Sequence, residues 1–373
     1  MSFCSYFDTH QCRSCGWIDY HYAEQLQLKS ERLHELLDPF GADQWLRPVP
    51  SPLKGFRNKA KMVAIPTPEG VVLGLSEETS LIDCPLYDET MQRTLHTVEA
   101  WLRELGIKGY DVKKKKGELK YVLLTRSSAK GEMMLRFVLR SHGIIPRLQG
   151  ALEDLMKREP ALRVVSVNIQ SVHMAILEGE EEIFLTSDQR IEERLNGIPL
   201  FIRPKSFFQT NPAVAEKLYR TAADWAGESS PTRLWDLFCG SGGFALHCAA
   251  PGREITGIEI EPESIACARD SAGAIGMEGL HFESLDAATF TATAGAIPDV
   301  VIVNPPRRGL GGQLCRWLSK IAPERILYSS CNAETLARDL ELLEGYALRR
   351  VQLFDMFPHT SHYEVLAELT RKG

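Results

Sequence analysis

The chain has 373 residues, 44% hydrophobic and 25% charged, the balance of a folded globular protein with material for two or three domains. No apolar run reaches the roughly 20 residues that cross a bilayer, and the N-terminus lacks the basic, apolar and small-residue order of a secretory leader. A cytoplasmic protein is therefore expected. The formal charge of −6 argues against a uniformly basic nucleic-acid binder, yet residues 51–150 carry 17 basic against 11 acidic side chains, a local field that suits a polyanion.

In chain order, the first 20 residues read as a cysteine-rich loop. Cys4, Cys12 and Cys15 follow a C-x7-C-x2-C pattern, and Cys84 comes much later in "DCPLY". Nine cysteines in an expected cytoplasmic chain point to metal binding or catalysis rather than disulfides. Four thiolates suit zinc or a [4Fe–4S] cluster, and the spacing does not choose between them. Next, "EQLQLKSERLHELLD" (24–38) has the apolar period of an amphipathic helix.

From about 54 to 205 short alternating segments predict strands: "KAKMVAIP", "GVVLGLS", "KYVLLTRS", "MLRFVLRS", "VVSVNIQ", "MAILEG", "EIFLTS" and "IPLFIRP". Helical patterns interrupt them near 88–105 and 148–158. Arg57, Lys59 and Lys61 alternate onto one strand face, and Lys113–Lys116 with Lys120 add a basic run that can neutralise phosphates. The stretch reads as a β-rich central domain.

After about 210 the rhythm changes. "AVAEKLYRTAADWA" is helical, and then strands and helices alternate through "RLWDLF", "EITGIEI", "LHFES", "DVVIVN" and "RILYSS". The chain ends on two neighbouring strands, "LRRVQLFDM" and "HYEVLAEL". Such alternation predicts an α/β fold with a parallel sheet covered by helices, whose ligands bind beyond the carboxyl ends of the strands. Asp236, Glu259, Asn304 and Cys331 each close a strand and should gather there.

"LWDLFCGSGGFAL" (234–246) is a strand, a glycine-rich turn and a helix start, and Glu259, ending the next strand, can accept both hydroxyls of a ribose. The turn also satisfies G-x-G-x-x-A, which leaves a nicotinamide-dependent oxidoreductase open. "VIVNPPRRG" (301–309) speaks for another chemistry. Enzymes that use S-adenosyl-L-methionine commonly carry Asn/Asp-Pro-Pro at this place, beside the sulfonium methyl. Arg307 stands where amine methylases place an aromatic residue, so an exocyclic amine is not the expected acceptor. Cys331 sits at the mouth of the next strand, before a helix that starts near Ala333. A thiolate there can add to carbon 6 of a pyrimidine and make carbon 5 nucleophilic, with the helix N-terminus expected to lower the thiol's pKa. Glu364, an acid in the otherwise apolar "HYEVLAEL", is the candidate base for the carbon-5 proton.

"SFFQTNPAVAEKLY" (206–219), "DLFCGSGGF", "NPPRRG", "YSSCNAETLARD" and "DMFPHTSHYEVL" stand in the order of the motifs of the RNA (uracil, carbon-5)-methyltransferases, and essentially the whole chain resembles that family. The resemblance implies a C-terminal Rossmann-like class I domain that uses S-adenosyl-L-methionine at 206–373. It also implies a central RNA-binding domain at 54–205 and an iron–sulfur region at 1–53 with 80–90. By it Cys331 is the nucleophile and Glu364 the proton acceptor, while Gln209, Phe238, Glu259 and Asn304 contact the methyl donor, with Asp286 near its adenine. Phe207 and Phe208 are expected near the donor or a flipped base. Many members carry Asp where Asn304 stands, and an amide cannot take a proton, which strengthens Glu364 as the base. Cys4, Cys12, Cys15 and Cys84 are implied to hold a [4Fe–4S] cluster. Because the chain starts directly at the first of these cysteines, the branch acting on 23S rRNA at uracil 747 is expected, as a monomer without an obligate protein partner. The same chemistry on another rRNA or tRNA uridine, a nicotinamide-dependent iron–sulfur oxidoreductase and a catalytically silent RNA-binding protein are the other readings.

Overall fold

The computed structural model describes residues 3–75, 79–172, 177–293 and 297–373; the expected strand "MAILEG" lies in part, at 174–176, outside them. The chain forms two compact units, one of Met1–Arg13 with Leu53–Glu193 and one of Ser14–Pro52 with Arg194–Gly373.

In the first unit a sheet runs in the spatial order Gly70–Gly74, Lys59–Thr67, Leu119–Arg126, Met133–Leu139, Leu162–Ile169 and Glu181–Phe184. Neighbours are antiparallel except Met133–Leu139 with Leu162–Ile169, whose crossover is the helix Ile145–Arg158. The helix Glu89–Glu104 starts where the Asp88 carboxylate accepts from Met91 N at 2.8 Å, satisfying one of the donors a helix end leaves open. Its Met91, Leu95, Val98 and Trp101 bury in one core with Ala60, Met62 and Ala64, the alternate residues of a neighbouring strand. Lys59 and Lys61 fall between those buried positions, half-buried and exposed respectively, as the period of two requires. Lys113 to Lys116 are exposed. Lys120, expected among the phosphate contacts, is instead buried; its ammonium donates to Gln170 Oε1 and to Val172 O and lies 5.0 Å from the Tyr110 ring centre. Its strand position turns it inward, which a run of lysines in the sequence does not reveal.

In the second unit the sheet order is Gln44–Trp45, Tyr346–Phe354, Glu364–Arg371, Arg325–Ser330, Val300–Val303, Arg233–Leu237, Glu254–Glu259 and Leu280–Ser284. All pairs are parallel except the two made by Glu364–Arg371. The inner strands read as unbroken apolar runs because helices cover the sheet: Val300 to Val303 have no exposed surface. The segment 14–52 belongs with this unit. Its helix Tyr22–Leu37 buries Leu33 and Leu37 in the same core as Leu314, Leu336 and Tyr363. Among the described residues no helix is long and apolar enough to cross a membrane.

The helix Tyr22–Leu37 also carries a buried ion pair. Lys29 Nζ lies 2.6 Å from Asp355 Oδ1, donates to Phe357 O at 3.0 Å and is wholly enclosed, while Tyr22 OH donates to Asp355 Oδ2 at 2.8 Å. One turn earlier, Gln25 Oε1 accepts from His359 N at 2.7 Å. These bonds hold the segment 355–359 that leads into Glu364. Removing one member of such a pair leaves an uncompensated buried charge, so Lys29→Met is expected to cost about 3–5 kcal/mol, read as a fall in the urea midpoint. Lys29→Met with Asp355→Leu should recover most of that loss.

Candidate active site

Strands are added to one side of Arg233–Leu237 by Glu254–Glu259 and Leu280–Ser284, and to the other by Val300–Val303 and Arg325–Ser330. The direction of winding therefore reverses at Arg233–Leu237. At such a switch point the loops leave in opposite directions and open a crevice beyond the carboxyl ends. Asn304 N donates to Leu237 O at 3.2 Å and joins the two strand ends that frame it.

A cavity of about 490 Å³ occupies this crevice, and its wall includes Gln209, Phe238, Glu259, Asp286, Asn304, Cys331 and Glu364. Asp236, expected with them, is not on it. Its carboxylate lies fully buried, with Oδ2 accepting from Ala245 N at 2.9 Å and Oδ1 without a hydrogen-bond partner among the described residues. Burial lifts this carboxyl to about 8, and the charge of Glu259 acts in the same direction.

The glycine loop makes the floor. Gly242 has φ +83°, and a Cβ on it would stand 3.1 Å from the Ala268 methyl; one on Gly243 would meet the Tyr219 ring at 2.5 Å. Phe238 leaves its strand with φ +63°, a left-handed form that costs a side-chain-bearing residue roughly 1–2 kcal/mol. Glu259 is pinned by backbone donors. Gly240 N reaches Oε2 at 3.2 Å, and Ile260 N and Glu261 N reach Oε1 at 2.8 and 3.1 Å. The two donors fill Oε1, and Oε2 keeps a lone pair for a ligand hydroxyl. Asp286 caps the helix Ala287–Thr293, its Oδ1 accepting from Ala288 N at 3.0 Å. Ile258, Ile260 and Leu285 add apolar wall, and Ile260 is 67% exposed, the mark of a surface that a ligand covers. Apolar walls, a pinned carboxylate with a free acceptor site and a glycine turn at the cavity edge fit S-adenosyl-L-methionine.

Cys331 follows the last residue of Arg325–Ser330 and precedes the helix Ala333–Leu342, which Asn332 caps by accepting Glu334 N at 3.1 Å. Glu364 opens the strand antiparallel to Arg325–Ser330, with Ser330 opposite Val365. That register brings the first residue of one strand beside the residue just past the end of the other. Glu364 is fully enclosed and accepts from Ser329 Oγ at 2.8 Å. Burial raises its carboxyl to about 7, the serine bond opposing. The Cys331 thiol is also raised, by burial first and the Glu364 charge second, so the net lowering expected beside a helix N-terminus is not found. The opposing influence is Arg307, through its charge and a hydrogen bond to the sulfur.

Sequence reasoning named Arg307 only for what it is not. Its place after Pro305 and Pro306, at the end of the strand beside Cys331, was the available signal. Arg307→Ala is expected to raise the thiol further and slow alkylation of Cys331 several-fold near neutral pH, followed peptide by peptide in a mass spectrometer. Unchanged labelling would remove Arg307 from this role.

Comparison with known proteins agrees with this geometry. The family model described as tRNA (Uracil-5-)-methyltransferase matches residues 201–300 and 295–372. The 23S rRNA (uracil(747)-C(5))-methyltransferase RlmC of Shewanella loihica is 54% identical over 376 residues, 99% of this chain and 99% of that protein. The chain belongs to the RNA uracil-C5-methyltransferase family. The RlmC of Shewanella pealeana is likewise 54% identical, over 374 residues and 99% of both chains. Among solved structures of the RNA uracil-C5-methyltransferases, the Pyrococcus abyssi tRNA (uracil-54, C5)-methyltransferase in complex with S-adenosyl-L-homocysteine matches with TM-score 0.81 and 27% identity. The match covers 95% of this chain and 85% of that one.

Cys4, Cys12, Cys15 and Cys84, expected to hold a cluster, do not line this cavity; Cys4, Cys12 and Cys84 fall in the first unit and Cys15 in the second. Burial pushes the Cys84 thiol up to about 11, and the thiols of Cys4 and Cys12 act on it in the same direction, so these three are electrostatic neighbours within the first unit. Among the described residues, however, no group of three or more His, Cys, Asp or Glu side chains stands in metal-holding geometry. Desolvated thiolates repel one another, and bound metal is what deprotonates them and draws them together. The donor chemistry fits a thiolate-held group, and its convergence is not drawn.

Proposed function

We infer that the protein methylates carbon 5 of a uridine in 23S rRNA, uracil 747 in the numbering its relatives carry, with S-adenosyl-L-methionine as donor. The observation that carries this reading is the single cavity shared by Cys331, Glu364 and the glycine-loop crevice, in a chain 54% identical over its length to RlmC proteins. Gln209, Phe238, Glu259 and Asn304 hold the donor, and Asp286 borders its adenine. When bound, S-adenosyl-L-methionine supplies an electrophilic methyl group.

The chain's own residues do the rest. Cys331, deprotonated with help from Arg307, bonds to carbon 6 of the flipped uracil, and the electron pair of the 5,6 double bond moves onto carbon 5 and the carbonyl oxygen of carbon 4. Once carbon 5 carries the methyl, Glu364 takes the proton from that carbon. The electrons re-form the double bond, and the Cys331–carbon 6 bond breaks to return the thiolate. Phe207, 60% exposed on the cavity wall, is placed to stack on a base. In the first unit, Arg57, Lys59, Lys61 and the exposed lysines 113 to 116 serve as phosphate contacts.

Cys4, Cys12, Cys15 and Cys84 ligate a [4Fe–4S] cluster in this proposal. The proximity of Cys84 to Cys4 and Cys12 supports three of them, and the C-x7-C-x2-C spacing supports Cys15. Methyl transfer needs no redox step, so the cluster's part is structural or in RNA binding. Iron and acid-labile sulfide content of the anaerobically purified protein tests it.

The reading as a whole is tested by mapping 5-methyluridine in 23S rRNA from cells with and without the gene, and by methylation in vitro. Loss of one modified uridine is expected. An unchanged map, with no transfer of labelled methyl to 23S rRNA, would sink it.

A further inference from the structure

A second cavity, of about 330 Å³, also borders the reactive cysteine. Cys331 and Arg307 form part of its wall and also part of the wall of the larger one, so the sulfur borders both. The larger cavity already holds the residues suited to a nucleoside and to the target ring. The polar lining of the smaller is Arg32, Arg307, His362 and Asn332, with Glu334 as its acid, beside an apolar wall that includes Leu36 and Tyr363.

Arg32 projects from the helix Tyr22–Leu37 and lies 3.0 Å from both Glu35 and Glu334, half of its side chain open to solvent. Arg307 is exposed, and its Nη2 stands 3.3 Å from His362 Nδ1. Burial and the Arg307 charge lower the His362 pKa, so its ring is a neutral hydrogen-bonding partner. Asn332 Nδ2 donates to Arg307 O at 3.3 Å and fixes the backbone that carries the guanidinium. Two guanidinium groups and neutral hydrogen-bonding side chains around a pocket of this size suit a phosphodiester better than an apolar ligand. A base swung out of its stack turns about its own backbone, so the phosphates on either side of it must lie at the mouth of the site that takes the base.

We propose that this second cavity binds the phosphodiester next to the uridine that reaches Cys331, with Arg32 and Arg307 as its cationic contacts; the inference rests on the uridine-methylation reading. Glu334 occupies Arg32 when RNA is absent and gives way when the strand arrives. Arg307 has donors enough to serve both the sulfur and the phosphate.

The test uses the whole protein and a 23S rRNA fragment containing the uridine that the mapping identifies. A copy carries a single uncharged methylphosphonate on the 5′ or the 3′ side of that uridine. On one side the neutral link should weaken wild-type binding about tenfold, the scale of a charged hydrogen bond. In Arg32→Ala the unmodified RNA should bind correspondingly worse, the methylphosphonate should add little, and the salt slope of binding should fall by about one. Glu334→Gln should act in the opposite sense and tighten binding, which guards against a variant that merely fails to fold. Binding of S-adenosyl-L-methionine without RNA is measured alongside and should stay within about twofold for Arg32→Ala, whose side chain is not on the larger cavity. A methylphosphonate penalty as large in Arg32→Ala as in wild type, or an unchanged salt slope, overturns the proposal. A wild type that methylates the fragment while Arg32→Ala binds it normally sinks the second cavity alone. A wild type that methylates no 23S rRNA sinks the uridine reading, and the proposal with it.

Discussion

Cys331→Ala abolishes methylation, with turnover lower by roughly four orders of magnitude or more, the scale on which removing a covalent nucleophile is felt. The physical reason is that carbon 5 of uracil is a poor nucleophile until a bond forms at carbon 6, and no other thiol lines the larger cavity. RNA containing 5-fluorouracil sharpens the test. The thiolate can add and carbon 5 can be methylated, but fluorine cannot leave as a proton does, so the enzyme stays attached. Wild-type protein should give a slow band on a denaturing gel, and Cys331→Ala none. Because Cys331 is half-buried at one end of the cavity, affinity for S-adenosyl-L-methionine should change little. An active Cys331→Ala protein would end the covalent scheme.

Glu364→Gln produces a different failure. Addition and methyl transfer proceed, while the carbon-5 proton has no acceptor, so covalent enzyme–RNA complex accumulates even with natural uridine. Turnover should fall roughly 100- to 10,000-fold. Gln can still accept from Ser329 Oγ, so the geometry survives. The carboxyl, raised to about 7 by burial, becomes a working base only as pH passes that value. Wild-type turnover should therefore climb through neutral pH, and the Gln variant should lack that limb. Stability must move consistently. A carboxyl raised from 4.5 to about 7 contributes stability that is full below 4.5 and lost as pH rises through 7. Glu364→Gln should thus match wild type in acid and exceed it in mild alkali, by on the order of 3 kcal/mol at most. A variant that releases methylated product at a normal rate would place the base elsewhere.

These two residues show how far sequence reading reached. Both were legible as misfits: a cysteine past the end of an apolar run, and an acid inside one. Glu259 and Asn304 were legible because strand ends in a parallel sheet share an edge. Asp236 obeyed the same rule and yet went beneath the loop, because its strand position aims the side chain under the glycine turn. Lys120 likewise belonged to a visible basic run and turned inward. The pairing of Lys29 with Asp355 spans 326 positions and leaves no local trace.

What the sequence determined by itself is local form: the period of each element, the glycine turn, the proline-stiffened loop, and the two out-of-place residues Cys331 and Glu364. These depend on residues close together along the chain, where sterics and hydrogen bonding act directly. Only the tertiary structure decided that Glu364 meets Cys331. That meeting requires the last strand to run antiparallel beside Arg325–Ser330 in one register, and a shift of one residue would turn the carboxylate to the opposite face. The tertiary structure alone also set the working pKa values, since burial and the neighbouring charges of Glu364 and Arg307 exist only once distant segments pack together.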